Sequence, residues 1–261
     1  MKFISRSITT ISVYILSSFY FQERRGNVEG FYFYVWDKTT DKPFFEKTIA
    51  FSEELRKEAK GDATIKTAFN DYFIRDVITR KDGGFIIGAE SYYTTSRFNN
   101  WNRWDYLYGS PFTNSFNNSY YYSPYYNNYY WRSRSGNNAV RYHADNLTIL
   151  SFDGNGKIEW NNVVSKSQFD DESDDLLSYM IMNTGGKLHF LFNQQEKRNN
   201  LLSDYYVNPE GEITRSPTLK NLDRGYEFMP KYGKQVSSRQ MIVPCLYRNY
   251  ICFAKIDYTQ N

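Results

Sequence analysis

The chain has 261 residues, 41% hydrophobic and 23% charged, enough to bury a sizeable core as one large domain. Its net charge of +3 is too small to drive it onto nucleic acid or a membrane surface by its global field, and no apolar run reaches the ~20 residues of a membrane-spanning helix. Aromatic content is 19%, mostly 25 Tyr and 20 Phe, residues that favour strands and point to an all-β protein.

Lys2 and Arg6 precede an apolar stretch, the outline of a secretory leader over residues 1–22. Thr9, Thr10, Ser12, Ser17 and Ser18 interrupt it, however, and no small-x-small cleavage site follows. A strand at 11–20 is the preferred reading. Further strands are expected at 31–36 and 44–51, then a short helix at 52–60, with Ser52 as N-cap and Gly61 as the stop.

Two turn types then alternate. One is a GG turn feeding an apolar strand, in "DGGFIIGAE" from Asp82 and "TGGKLHFLFN" from Thr184. The other is a D/N-x-x-G hairpin, in "DGNGKI" from Asp153 and "NPEGEI" from Asn208. Gly supplies the positive φ of such turns, and Asp or Asn caps them. The turns divide the chain into groups of four strands, at 72–80, 85–93, 146–152 and 157–164, then at 176–182, 187–192, 201–207 and 212–218. Strands at 226–231, 239–244 and 250–257 follow. Four antiparallel strands repeated every ~40–50 residues are the pattern of β-propeller blades. The expectation is a single propeller-like domain of about four blades, incomplete because the first group lacks an opening strand and the last a closing one. Open sheet edges of that kind would allow self-association.

A Tyr/Asn-rich insert interrupts the first full group. Residues 97–142 hold ten Tyr, ten Asn, three Trp and five Arg against a lone Asp105. Rigid aromatic rings beside adaptable amides are the composition of recognition loops. Trp101, Trp104, Tyr106, Tyr108, Tyr125, Tyr126 and Trp131 are therefore the candidate contacts for a protein or carbohydrate ligand. The Arg excess also suits single-stranded nucleic acid stacked on the rings. Only Leu107 and Val140 represent Leu, Ile or Val, so the tract cannot build a core and is expected to lack regular structure, at least from 114 to 138.

Catalytic chemistry finds little support. His143 and His189 have no Cys, Asp or Glu at ligand spacing in the sequence, and neither G-x-S-x-G nor H-E-x-x-H occurs. The run "DDESDD" from Asp170 lacks the ligand order of a Ca²⁺ loop and reads as a solvated connector. No catalytic, metal-binding or cofactor residue is nominated; a glycan-processing enzyme on the same fold is the alternative, needing two carboxylates at a distance the sequence cannot give. If "YRNY" makes a two-residue turn at Arg248–Asn249, Cys245 faces Cys252 across a hairpin, and two neighbouring free thiols are preferred over a disulfide.

One stretch resembles a known group. "IEWNNVVSKSQFDDESDDLLSYMIMNTGGKLHFLFN" places Trp160, a Lys-x-Gln at Lys166 and Gln168, paired acids at Asp174 and Asp175, Ser178–Tyr179, and a strand ending in Asn193. This arrangement, with "NVEGFYFYVWD" and "DGGFIIGAESYY", is similar to the blade pattern of uncharacterised bacterial propeller proteins. The WD40 and kelch signatures are not matched. The resemblance implies a propeller fold, a place in the bacterial envelope, periplasm or exterior, and a chain that forms the C-terminal part of a longer propeller. It implies no activity.

Overall fold

The computed structural model describes residues 2–8, 11–24, 26–61, 63–96, 100–101, 140–196, 199–216, 225–248 and 250–258. Among these residues it is all-β, with four antiparallel sheets and one short α-helix. Among the described residues no helix is long and apolar enough to cross a membrane.

The first sheet is a meander of β1 (Lys2–Ile8), β2 (Ile11–Phe21), β3 (Val28–Asp37) and β4 (Lys42–Ala50). An opening strand is therefore present, contrary to expectation. It was hidden by Ser5, Arg6 and Ser7, which look like leader or loop residues until β2 supplies a partner from Ile8↔Ile11 to Lys2↔Ser17. The helix α1 (Glu53–Ala59) follows; Ser52 caps it by accepting from the Leu55 amide at 3.2 Å. Arg56 secures it by donating to the Val28 carbonyl at 2.9 Å.

The second sheet runs β5 (Tyr72–Thr79), β6 (Phe85–Ser96), β8 (Val140–Phe152) and β9 (Ile158–Val164). Two short strands extend it, β7 (Asn100–Trp101) on β6 and β10 (Phe169–Asp170) on β8. The third sheet is β11 (Tyr179–Asn183), β12 (Leu188–Glu196), β13 (Asn199–Val207) and β14 (Ile213–Arg215). In the fourth, β17 (Gln240–Tyr247) lies between β18 (Tyr250–Asp257) on one side and β15 (Tyr226–Phe228) with β16 (Lys234–Gln235) on the other. Its first strand is expected to run unbroken over 226–231. Instead a 3₁₀ turn at Pro230–Tyr232 breaks it, because Pro230 cannot donate to a ladder.

The sheets pack face to face in chain order. Alternation sends Phe31, Phe33 and Val35 of the first sheet against Phe85, Ile87 and Phe152 of the second. The other face of the second sheet meets the third through Leu147, Ile149, Phe190 and Phe192. Met180, Met182 and Leu191 then meet Met241 and Val243 of the fourth. The strands after the two GG turns, β6 and β12, are both second in their sheets and both buried, as the repeat requires. Among the described residues the four sheets do not close into a ring.

The D/N-x-x-G turns show the repeat at residue level. Gly156, at φ +71°, lies under the ring of Phe45 on the last strand of the preceding sheet. Gly211, at φ +90°, lies under the indole of Trp160, again on the last strand of the preceding sheet. Trp160 Nε1 donates to the Pro209 carbonyl at 3.1 Å.

Candidate functional site

Among the described residues, polar side chains gather most densely at the joint between the second and third sheets and on the hairpin that carries the insert.

On its third-sheet side β6 presents Ile86, Gly88 and Glu90 in succession: apolar, empty, charged. Gly88 leaves the space that Tyr179 fills, since a Cβ there would lie 2.7 Å from the Tyr179 hydroxyl oxygen. Glu90 is buried. Its Oε1 lies 2.7 Å from Lys166 Nζ, and its Oε2 accepts from Ser178 Oγ at 2.6 Å and Arg75 Nε at 3.1 Å. Burial pulls the Lys166 ammonium below the ordinary lysine range, and Glu90 opposes that pull.

From Lys166 a relay of hydrogen bonds runs to the fourth sheet. Lys166 Nζ donates to the Ala144 carbonyl at 2.6 Å and to Gln168 Oε1 at 2.7 Å. Gln168 Nε2 donates to the Asn193 carbonyl at 2.7 Å, and Asn193 Nδ2 reaches the Phe228 carbonyl of the fourth sheet at 2.7 Å. A second relay runs beside it. Tyr92 OH donates to Asp174 at 3.2 Å, and Lys231 Nζ lies 2.7 Å from the other oxygen of that carboxylate. Tyr232 OH donates to Asp175 at 2.7 Å. Burial raises the Tyr92 phenol above its ordinary range, and Asp174 adds to the rise.

The acidic run is thus only partly the solvated connector that the sequence suggests. Asp174 and Asp175 are half-buried ties from the second sheet to the fourth, whereas Asp171 pairs with Arg141 on the surface at 2.6 Å. Of the residues singled out by the family resemblance, Lys166, Gln168, Asp174, Asp175, Ser178, Tyr179 and Asn193 fall in or beside these relays, whereas Trp160 packs over Gly211 at the neighbouring turn. Glu90, Arg75, Tyr92, Lys231 and Tyr232 complete them and were not anticipated. Their signal was a glutamate in an otherwise apolar, small-residue strand. A cavity of about 40 Å³ opens beside Gln168, Asp170 and Asn193, well short of the ~300–1,000 Å³ of a small-molecule site.

The second place is the β6/β8 hairpin. Its ladder runs from Phe85↔Phe152 to Ser96↔Val140, past the ends of β5 and β9. The projecting part is a stalk, shored by β7 and β10, so residues 140–142, expected in the insert, belong to a strand. On it the rings of Tyr93 and His143 stack at 4.5 Å and 6°. Thr95 Oγ1 lies 3.1 Å from His143 Nε2, and the Arg141 guanidinium covers the half-exposed Phe169 ring at 4.5 Å. Burial lowers the His143 imidazole below its ordinary range; Asp145 and Asp171 pull the other way, and Arg141 adds to the lowering.

Of the predicted contact residues, Trp101 lies in β7, its backbone paired with Thr94. Trp104, Tyr106, Tyr108, Tyr125, Tyr126 and Trp131 lie outside the described residues, as does the 114–138 tract. His189 is buried on a strand, its Nδ1 3.1 Å from both oxygens of Asp204, which also accepts from Tyr258 OH at 2.9 Å. Among the described residues no three His, Cys, Asp or Glu side chains gather in a metal-holding cluster. Cys245 faces Cys252 as expected, and both are free thiols.

The sequence matches no protein-family model and no curated protein.

Proposed function

We propose that this chain is a non-catalytic binding or scaffold module of the bacterial envelope or exterior, built on a propeller-type series of blades. Its ligand, a protein or a carbohydrate, contacts the Tyr/Asn/Trp-rich insert through Trp101, Trp104, Tyr106, Tyr108, Tyr125, Tyr126 and Trp131. The observation that carries this reading is the stalk. A hairpin whose ladder continues past its neighbours, with its own short flanking strands, holds both ends of the insert away from the body of the second sheet. A scaffold that carries an aromatic-rich loop segment is the usual architecture of a binding site.

The buried carboxylates also favour a scaffold. Glu90 is held by Lys166, Arg75 and Ser178, and Asp204 by His189 and Tyr258. A carboxylate so engaged holds sheets together and is poorly placed to carry protons for a substrate.

The test replaces residues 102–139 with a short Gly/Ser linker, leaving β7 in place. Wild-type and shortened proteins are then probed against a bacterial glycan array and an envelope-protein panel. Binding by the wild type alone, with the same thermal midpoint for both, is the expected result. Equal binding by both proteins would remove the insert from the reading. Release of reducing sugar would favour the glycan-processing alternative, and salt-dependent capture of single strands the nucleic-acid one.

A further inference from the structure

Cys245 and Cys252 stand directly opposite each other on β17 and β18, with their sulfur atoms 3.0 Å apart. That is closer than two unbonded sulfurs ordinarily rest, and directly paired residues on antiparallel strands have Cα separations within the range a disulfide can span. The two thiols differ in access. Cys245 is 2% exposed on the central strand, flanked by β15 through its pairing with Phe228. Cys252 is half-buried on β18, which among the described residues pairs with β17 alone and exposes Tyr250, Ile251 and Phe253 beside it.

We propose that Cys245 and Cys252 are a dithiol site that closes reversibly to an intramolecular disulfide on meeting a small-molecule disulfide. In the first step the Cys252 thiolate attacks one sulfur of the oxidant, a mixed disulfide forms at Cys252, and one thiolate leaves. In the second, Cys245 gives up its proton to solvent and attacks Cys252 Sγ, and the second thiolate leaves. The protein loses two electrons and two protons, and the oxidant is reduced to two thiols. The order follows from access, because the reagent can reach Cys252 from the open edge while Cys245 lies behind it. Burial raises the Cys245 thiol to about 12, and the neighbouring Cys252 adds to the rise. Closure is then the slow step at neutral pH and accelerates by about tenfold per pH unit while Cys245 remains mostly protonated. The site does not depend on the proposed function of the insert.

The experiment incubates the full chain with oxidised glutathione at several pH values, natively and in urea, and follows intact mass and free thiols. Native protein should pass through a transient glutathione adduct whose decay to the closed, adduct-free form quickens with pH, and should regain both thiols in dithiothreitol. Native Cys245→Ser should stop at a stable glutathione adduct on Cys252, and native Cys252→Ser should stay unmodified. Closure in urea but not in the native chain would overturn the proposal. So would a wild type that stops at the adduct or cross-links between chains. If either variant fails to fold, the native wild-type time course alone decides.

Discussion

Lys166 and Glu90 meet at 2.7 Å inside the joint between the second and third sheets, with 1% and 0% of their side chains exposed. Removing one partner of such a pair strands the other charge in an apolar interior, at a cost of about 3–5 kcal/mol. Lys166→Met and Glu90→Gln should each lower stability on that scale. The double variant Lys166→Met/Glu90→Gln should lose clearly less than the sum. Urea unfolding of the three proteins measures this, and additive losses would show that the two groups are not coupled.

Gly185 and Gly211 share a φ of +90°, yet a Cβ at Gly185 meets nothing within 4 Å, whereas one at Gly211 meets the Trp160 ring at 2.6 Å. Gly185→Ala should therefore cost only backbone strain, about 1–2 kcal/mol. Gly211→Ala should cost more, and Trp160→Ala in the same chain should restore part of the difference. Equal thermal losses for the two glycine variants would show that the indole moves aside freely.

Acid should weaken the tie to the fourth sheet. Burial tends to raise the Asp175 carboxyl, but the Tyr232 hydroxyl and the Lys231 ammonium outweigh it and hold the group below its ordinary range. A carboxylate depressed on folding contributes stability above its unfolded pKa of about 3.9, and the contribution is lost as pH falls through the folded value. Asp175 is partly exposed, so solvent screening limits the effect to roughly 0.5 kcal/mol. Asp175→Asn should be less stable than wild type at pH 7, with the gap closing below pH ~3.9. A gap that widens in acid would contradict the assignment.

The stalk should respond to pH in the same sense through another group. His143 has its folded pKa lowered, so the unfolded chain binds the proton more readily between that value and about 6.5. Stability should rise with pH across this window and level off above it. His143→Gln should flatten the rise. Thermal midpoints from pH 5 to 8 test this, and a midpoint that falls across the window would refute it.

Most of the fold is legible in the sequence because it is built from local hairpins. Asp82 and Asn183 each accept an amide two residues on, from Gly84 at 3.1 Å and Gly185 at 2.8 Å, and each turn sets the strand that follows. β1 is obscured by polar residues that become strand-like only when paired. The joint is harder still, because Glu90 and Ser178 are 88 residues apart and neither is unusual alone. Lys166, Gln168 and Asp174 are visible as a group because one connector between sheets carries all three. The stalk is hidden by composition: Arg141 and Tyr142 look like insert residues, yet they pair with Thr95 and Thr94.

The serial packing has a mechanical consequence. The second sheet is covered on one face by the first and on the other by the third, and its central strands run straight into the stalk. A pull on the stalk tip is therefore delivered as shear along β6 and β8 to an interior sheet, against two apolar faces and the Lys166–Glu90 pair. The same pull on β18 would peel one edge strand from β17, breaking its bonds one after another. Tethered at the stalk and stretched, the chain should yield from its fourth sheet while the stalk and its attachment still hold.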